Sequence, residues 1–504
     1  MKSLFRATAI LSGSSLVSIL LGLVSARILA SILHPDGYGY YGLLQSFVAV
    51  ASLLAGMGMA TGVVRLGAAT AKANDQAAMA ALTGGAWLLV ALLAAPILLA
   101  LVLFRSQISL LALGTPDHSG VIVLMGLALL FTVSLNVQNG ILNAWHRVEV
   151  LATYGIVNSV INAVTGIVAV LLWQDRGIVP AVIVSAIFGW AASRYFLHRS
   201  VNLSSFHVPL PRRIAAARTL LAFGVPFTAS LMAGSGVQLA MPMVVVHLLD
   251  AEAVGYYKAA AAISVSYLGF LVAAMTQDYY PRVSAIRDQP QAIVTLINEQ
   301  QRLIMLLAAP AILFTLALVP YIVPLIYSSR FMPAVDILEW QLIGDLFKFS
   351  SWTISFAILA RCSPSVYFLA ELTYGVLTLS TNWLAVRFFG LQGLGIGFVA
   401  TSLLYFLVVW VILRHEMPLT WTSTNRRILI AALAAALVIQ ALPFTPLANL
   451  RTLVALILAA AFSMYSVRIF RAEYRRDMTP ATTEHPAPLP VPSPPLQAGK
   501  QAEI

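Results

Sequence analysis

The 504 residues are 60% hydrophobic and 10% charged, and the chain carries a formal net charge of +11. Soluble globular proteins have about 25% charged residues, so this composition excludes that class and indicates a polytopic membrane protein. The basic excess does not require a nucleic acid partner, because basic residues collect on the cytoplasmic side of membrane proteins. The single cysteine, Cys362, excludes an internal disulfide and a cysteine-cluster metal site.

The first apolar run follows Lys2 and Arg6 and continues through Arg27 to Leu33. It has no obvious small-residue cleavage site, which predicts a membrane span rather than a cleaved signal peptide. Further apolar runs predict an all-α polytopic membrane protein with about fourteen spans and loops too short for a folded soluble domain. The spans lie near residues 8–33, 38–64, 80–104, 119–143, 151–173, 178–198, 218–249, 255–281, 299–326, 333–360, 364–387, 393–413, 428–445 and 450–470.

The distribution of basic residues tests this number of spans. With the N-terminus in the cytoplasm, 22 of the 30 lysines and arginines fall in cytoplasmic segments and five fall in outer loops. A miscounted span would invert this asymmetry from that point onward, and no inversion occurs. We therefore expect both termini to lie in the cytoplasm.

An internal repeat divides the chain. Residues 28–42, ILASILHPDGYGYYG, align without gaps on residues 244–258, VVVHLLDAEAVGYYK, at an offset of 216. Six spans separate the copies, so the two halves have the same orientation, which is typical of two bundles around a cavity. The predicted domains are an N-terminal lobe of spans 1–6 (1–200), a cytoplasmic linker (201–217), a C-terminal lobe of spans 7–12 (218–415), two extra spans (416–476) and a disordered, proline-rich tail (477–504).

Four of the arginines at or inside the ends of spans are candidates for the substrate path. Arg27 is roughly 9 Å inside the outer end of span 1, where it either snorkels to the outer headgroups or faces a central cavity. Arg65, Arg282 and Arg302 lie at cytoplasmic ends, where snorkelling is the default interpretation. Arg65 and Arg282 follow the matching second spans of the two lobes. They could therefore meet an anionic headgroup across a vestibule, because guanidinium groups bind phosphate through paired hydrogen bonds.

Other polar side chains lie at depth in the spans. Asp278 is four residues from Arg282, which predicts a simple ion pair, although a role in coupling or gating stays open. Gln238 belongs to a set of amides that either hydrogen-bond sugars or hold helices together. The other amides of this set are Gln45, Asn136, Gln138, Asn139, Asn158, Asn162 and Gln277.

The segment Trp340–Arg361 is long enough to cross a bilayer, yet it carries Asp345 and Lys348 near its middle. Asp345 lies roughly 18 Å from a helix start at Pro333, where a charge costs about 2.5–3.5 kcal/mol or more. The two residues share a helix face, so they either neutralise each other or line a polar path. Asp345 and Glu371 are candidates for proton or sodium coupling, and satisfied structural carboxylates are the alternative.

Enzyme signatures are missing from the sequence. GYGYYG, GMGMATG and GLGIG lie in apolar context and do not open a soluble nucleotide fold, which argues against dinucleotide binding. No Walker lysine motif occurs, so ATP does not drive the chain directly. The short, weakly charged outer loops disfavour a membrane glycosyltransferase or polymerase. We therefore predict a transporter without a metal or cofactor.

Two segments resemble a known family. ARILASILHPDGYGYYGLLQSF (26–47) resembles the start of the Wzx-type polysaccharide flippases of the MOP superfamily, and residues 331–372 are similar to the O-antigen and enterobacterial-common-antigen branch. The resemblance covers about residues 1–415 and implies two six-helix lobes in a V shape around a cationic cavity. It also implies movement of undecaprenyl-diphosphate-linked oligosaccharide from the inner to the outer leaflet of the bacterial inner membrane. The last two spans depart from the twelve-span members. The matching positions are Gln341, Gly344, Asp345, Lys348, Ala370 and Glu371.

The resulting hypothesis is a flippase that works by alternating access on an O-antigen or exopolysaccharide repeat unit. A proton gradient, a sodium gradient or the membrane potential would drive it. The expected partners are the lipid-linked oligosaccharide, membrane lipids and polysaccharide assembly proteins such as a polymerase or chain-length regulator. The alternatives are a cation-coupled multidrug exporter with a carboxylate-dominated cavity and, from another class, a polytopic glycosyltransferase or polymerase. The candidate residues are Arg27, Arg65, Arg282, Arg302 and Gln238 for the substrate path, and Asp278, Asp345, Lys348 and Glu371 for coupling or gating.

Overall fold

The computed structural model describes residues 2–72, 75–145, 148–200, 208–446 and 450–478. All regular secondary structure in these ranges is helical and none of it is strand, as the sequence predicts. The predicted tail lies outside the described residues from 479 onward, and so does the linker from 201 to 207. The helices are α1 (Lys2–Gly56), α2 (Met59–Lys72), α3 (Gln76–Leu103), α4 (Arg105–Leu113), α5 (Ser119–Ala144), α6 (Val148–Trp173), α7 (Ile178–Ser200), α8 (Leu210–Leu231), α9 (Val237–Leu248), α10 (Ala251–Ala274), α11 (Tyr280–Ala285), α12 (Pro290–Ile326), α13 (Pro333–Arg361), α14 (Pro364–Phe389), α15 (Gly393–Glu416), α16 (Ser423–Ala441) and α17 (Arg451–Met478).

Ten helical stretches of the described chain are long and apolar enough to cross a membrane. Three of them, Val17–Gly56, Glu149–Ser200 and Pro364–Glu416, are 40 to 53 residues long and each contains two helices joined at a kink or a short 3-10 turn. Resolving these three into pairs and adding the 24-residue helix α10 gives fourteen crossings. This is the number that the apolar runs predict.

Two local breaks shape the first two crossings. α1 bends at His34, which has a φ of 59° and is followed by Pro35. This bend separates two arms of the helix, 2–33 and 35–56. The second break lies between α1 and α2 at Met57 and Gly58, both with positive φ. Gly58 is required there because a side chain at φ 63° would be strained and its Cβ would lie 2.8 Å from the Gly224 carbonyl oxygen.

The crossings of each half pack mainly on one another. In the first half α1 packs on α6, and α5 packs on α2 and α7; in the second half α13 contacts α10, α12 and α15. α13 has the largest buried share of the ten candidate spans, so its polar residues lie inside the protein. The halves meet through α1 with α10 and through α3 with α8. The lobe boundaries at 200, 217 and 415 stay a prediction.

The two copies of the internal repeat contact each other. A Cβ at Gly39 would lie 1.9 Å from the carbonyl oxygen of Ala251, and a Cβ at Gly255 would lie 2.0 Å from that of Pro35. At the repeat offset of 216, Gly39 matches Gly255 and Pro35 matches Ala251. The contact is therefore reciprocal, as a two-fold axis between the halves requires. We call this contact the repeat junction.

The last two helices attach to the second half through buried polar groups. The Asn298 side chain of α12 donates to the Thr420 carbonyl and accepts from the Thr422 amide, both at 2.9 Å, and Asn425 of α16 donates to it at 3.0 Å. Arg451 of α17 forms an ion pair with Glu339 of α13, whose side chain is 4% exposed. These contacts hold the start of α16 on α12 and the start of α17 on α13.

Candidate functional site

Four helices of the second half enclose a polar cavity of about 170 Å³, which we call the lysine cavity. A smaller cavity of about 50 Å³ adjoins it and shares Gln238, Lys348 and Tyr374. Gln238, Lys348 and Glu371, which the sequence singles out from three separate spans, thus line one space. The complete lining is Gln238, Lys348, Ser351, Trp352, Glu371, Tyr374, Ser402 and Tyr405.

Lys348 supplies the positive charge of this cavity. Its Nζ lies 4.9 Å from the ring centroid of Phe398 and 5.4 Å from that of Trp352, so two aromatic faces hold the ammonium group. Within the described ranges Lys348 forms no ion pair. The ammonium therefore retains hydrogen-bond donors that can meet an anion entering the cavity.

Asp345 does not neutralise Lys348, although the two residues are three positions apart. Asp345 is fully buried, and its Oδ2 accepts a hydrogen bond of 3.0 Å from Ser264 Oγ on α10. The structural pairing that the helix spacing allows is thus absent among the described residues. Asp345 instead joins α13 to α10 beside the smaller cavity, where Ser264 is a lining residue.

Glu371 supplies the negative group of the lysine cavity. Its Oε1 accepts a hydrogen bond of 3.1 Å from Tyr405 Oη, and that hydroxyl lies 3.3 Å from Ser355 Oγ. Gln238 Nε2 donates to Tyr374 Oη, and the Tyr374 ring contacts that of Tyr405 with a centroid distance of 5.0 Å. An ammonium group, a carboxyl group and several hydroxyls share one space, which is suited to binding an anion or transferring a proton.

Arg27 bridges the two halves. Its guanidinium donates to the carbonyl oxygens of Pro324, at 2.7 Å, and Tyr327. Both carbonyls belong to the C-terminal end of α12, where helix carbonyls lack intrahelical partners and carry partial negative charge. Snorkelling and facing a cavity were the two interpretations drawn from the sequence. The structure adds a third role, a link between the halves.

The other three arginines lie apart from the lysine cavity, whose lining does not include them. Arg65 is exposed and its guanidinium lies 4.8 Å from the Phe223 ring centroid. Arg282 pairs with Asp278 at 3.3 Å, and because these side chains are 53% and 72% exposed the pair contributes little to stability. Arg302 is half-buried on α12. Their role on a substrate path stays a prediction.

The sequence analysis missed the aromatic part of the site. Trp352 and Phe398 contact Lys348, Tyr405 bonds to Glu371 and Tyr374 accepts from Gln238, yet none of these aromatic residues appears in a predicted set. Helical spacing contains part of the signal, because Trp352 is four residues from Lys348 and therefore shares its helix face. Phe398 and Tyr405 come from α15, a different helix, so no local pattern identifies them.

The comparison with known families places the chain in one of them. The family model described as "Polysaccharide biosynthesis protein" matches residues 28–336, which is more than half of the chain. The chain belongs to this family. It is also 24% identical over 412 residues to the "Lipid III flippase" of Escherichia coli (strain K12), covering 80% of this chain and 96% of that protein. The Shigella flexneri protein of the same name matches to the same extent.

Solved structures share the fold. "Lipid II flippase MurJ, inward closed conformation" aligns with a TM-score of 0.71 at 15% identity, covering 93% of this chain and all of that one. An inward-facing multidrug resistance MATE family transporter of the MOP superfamily aligns with a TM-score of 0.61 at 16% identity, covering 79% and 94%. The fold is therefore that of MOP-superfamily transporters. These similar proteins are flippases and transporters, in agreement with the prediction of a transporter rather than an enzyme.

Proposed function

We propose that this family member moves an undecaprenyl-diphosphate-linked oligosaccharide from the inner to the outer leaflet of the bacterial inner membrane by alternating access. The observation that carries the proposal is the match along 96% of a lipid III flippase, combined with the transporter fold. The cargo would be an O-antigen or exopolysaccharide repeat unit. Such a headgroup cannot cross hydrocarbon unaided, because each unpaired polar group costs several kcal/mol there.

The charges of the second half support an anionic cargo. Lys348 presents an ammonium group to a cavity inside the membrane-spanning bundle, and a charge kept at that depth is usually functional. Arg27 supports the cycle in a different way. Separation of the halves beside α12 would break its bonds to Pro324 and Tyr327. The freed guanidinium would then offer its donors to a diphosphate. Arg65, Arg282 and Arg302 would meet the headgroup nearer the cytoplasm.

The cycle would be coupled through two carboxyl groups, that of Asp345, which is fully buried, and that of Glu371, which is half-buried. Glu371 shares its cavity with Lys348, and Asp345 bonds α13 to α10, so protonation of either group would change contacts between helices. A proton gradient, a sodium gradient or the membrane potential would drive transport, with Asp278 in a gating role near the cytoplasm. Both termini would lie in the cytoplasm. The working partners would be membrane lipids and polysaccharide assembly proteins such as a polymerase or chain-length regulator.

The second candidate is a cation-coupled multidrug exporter. The fold match to a MATE family transporter and the carboxyl group of Glu371 favour it. An exporter of cationic drugs would need a cavity of negative charge, whereas the lysine cavity contains one group of each sign. Replacing Lys348 separates the candidates, because removal of its positive charge should impair binding of an anion and improve binding of a cation.

The test is the lipid profile of the producing bacterium with this gene deleted. We expect undecaprenyl-diphosphate-oligosaccharide to accumulate on the cytoplasmic leaflet and surface polysaccharide to be lost. The wild-type gene should restore both, Lys348→Ala and Arg27→Ala should not, and Arg105→Ala, an exposed arginine on α4, should serve as the matched control. Normal lipid intermediates together with altered drug tolerance would refute the flippase in favour of the exporter.

A further inference from the structure

The first half contains a cavity of about 270 Å³ without a charged residue among its eleven lining residues, which we call the amide cavity. It lies between the two arms of α1 and the middle of α6. Its volume is close to the lower limit of about 300 Å³ for small-molecule pockets, so it suits one small ring rather than an oligosaccharide. The lining is Ser18, Gly22, Ser25, Ala26, Leu29, Tyr38, Tyr41, Gln45, Ser159, Asn162 and Ala163.

Two amide side chains from different helices line this cavity. Gln45 on α1 and Asn162 on α6 are both exposed, although each lies near the middle of a membrane crossing. An amide turned to lipid chains at that depth would cost several kcal/mol, so convergence on a shared polar space indicates a wet cavity. Asn162 Nδ2 donates to the Asn158 carbonyl at 2.8 Å, which leaves its Oδ1 as an acceptor.

An aromatic wall closes the amide cavity toward the second half. The Tyr38 ring contacts Tyr327 and Phe331 edge-on, with centroid distances of 5.7 and 5.6 Å. Tyr41, which is buried, completes the wall. The cavity therefore borders the interface at which the halves meet.

A second uncharged cavity continues this chemistry toward the other end of α1. It has a volume of about 460 Å³, and Ser52, Asn136, Asn139 and Asn143 contribute its amides and one of its hydroxyls. The three asparagines lie at positions i, i+3 and i+7 of α5, so they share one helix face. Ser52 is seven residues from Gln45 and shares its face of α1, roughly 10 Å further along. The two cavities thus follow one another along α1, and the second is closed by Phe227 and Leu231 of α8, where the first half meets the second.

The two halves therefore differ in chemistry. The lysine cavity contains Lys348 and Glu371, whereas the polar groups that line the amide cavity and the second uncharged cavity are only amides, hydroxyls and tyrosine, set among apolar side chains. Amides and hydroxyls offer both donors and acceptors, which matches sugar hydroxyl and acetamido groups. A carboxylate or phosphate would enter such a cavity without a compensating charge, at a large desolvation cost.

We infer that the first half binds the glycan and takes uncharged sugar residues there, one ring in the amide cavity and another, further along the glycan, in the asparagine-lined cavity. The diphosphate is left to the charged groups elsewhere. This inference rests on the proposed function and narrows its substrate class to glycans with neutral hexose or N-acetylhexosamine residues nearest the lipid.

The test uses three defined probes with the purified full-length protein in lipid nanodiscs. The probes are polyprenyl diphosphate alone, the same lipid with one N-acetylglucosamine, and the same lipid with one glucuronic acid. We expect the N-acetylglucosamine lipid to bind at least tenfold more tightly than each of the other two. Gln45→Leu and Asn162→Leu should reduce that preference to less than threefold without changing affinity for the bare lipid. Gln107→Leu, which replaces an exposed amide on α4, should leave it intact.

Binding of polyprenyl diphosphate distinguishes a failure of the inference from a failure of the proposed function. If wild-type protein binds polyprenyl diphosphate but shows no sugar preference, or if both leucine variants keep the full preference, the inference is wrong and the flippase proposal stands. If wild-type protein binds none of the three lipids, the proposed function itself fails. A variant that loses the bare lipid as well has lost its fold, and Gln45→Glu then provides the decisive measurement. Its added charge should weaken binding of the N-acetylglucosamine lipid selectively, and unchanged selectivity would overturn the inference.

Discussion

Alanine at the repeat junction should open the interface between the two halves. Gly39 and Gly255 sit where two backbones cross, and each lacks the Cβ that would collide with the other half. A Cβ at Gly39 would be 1.9 Å from the Ala251 carbonyl oxygen, whereas ordinary contact begins at 3.4 Å. Because the obstructing atom belongs to the backbone, it cannot rotate away. The helices must therefore separate by the 1.5 Å difference between these two distances.

The size of the expected change in the closed-to-open ratio follows from the energetic cost of overpacking. Forcing one methyl group into a filled contact costs about 1–3 kcal/mol, and this cost falls on the state in which the junction is closed. Since each 1.4 kcal/mol changes an equilibrium constant tenfold, Gly39→Ala should shift the closed-to-open ratio by about 5- to 140-fold. Gly255→Ala should act with similar strength, because the contact is reciprocal.

Ser46 provides the readout of this shift. It is 3% exposed, lies two helical turns beyond Gly39 on α1, and accepts a hydrogen bond of 2.8 Å from Lys258 of the second half. The assay places Ser46→Cys in a Cys362→Ser background, which removes the one native cysteine. It then measures the labelling rate with a membrane-impermeant maleimide. We expect Gly39→Ala to raise this rate at least about fivefold, in proportion to the open population.

Gly155→Ala is the matched control. Gly155 lies inside α6, and nothing lies within 4 Å of the Cβ that alanine would add. This substitution should leave the labelling rate unchanged and stabilise the helix by up to about 1 kcal/mol. Equal labelling rates for Gly39→Ala, Gly255→Ala and Gly155→Ala would refute the view that the glycine contact holds this interface closed.

Four further substitutions test the second half. Lys348→Gln removes a charge-assisted contact worth about 1.5–3 kcal/mol, so polyprenyl diphosphate should bind at least tenfold more weakly in nanodiscs; unchanged affinity contradicts an anion site. Glu371→Gln should abolish the dependence of lipid translocation on an imposed pH gradient in proteoliposomes, and a preserved dependence excludes Glu371 as the coupling group. Asn298→Leu removes three hydrogen bonds to the start of α16 and the residues before it. It should lower the free energy of unfolding by about 2 kcal/mol, which is measured as a lower unfolding temperature in detergent. Arg451→Met leaves the carboxyl group of Glu339 buried without its ion-pair partner, at a cost of about 3 kcal/mol. Adding Glu339→Met should restore the unfolding temperature. If it does not, the loss of stability comes from packing rather than from the unpaired charge.

Much of this architecture follows from patterns within the sequence. Span length is set by bilayer thickness, so apolar runs bounded by charges predict the fourteen crossings. The repeat at an offset of 216 indicates two related halves, and its glycines meet at the repeat junction. Lys348 and Glu371 stand out within apolar spans because a charge in hydrocarbon is costly. The span lengths and the costly charges depend only on position along the membrane normal, and the repeat depends only on similarity along the chain.

The tertiary structure alone decides which groups meet. Hydropathy gives the depth of a residue but not the direction in which its side chain leaves the helix axis or the helix beside it. Lys348 is therefore predicted near Asp345 by helical spacing, yet its ammonium lies against Phe398 of another helix while Asp345 bonds to Ser264. Arg27 likewise bonds to carbonyls of α12 that lie about 300 residues along the chain. Such contacts arise from the rotation and packing of helices, which are properties of the whole bundle.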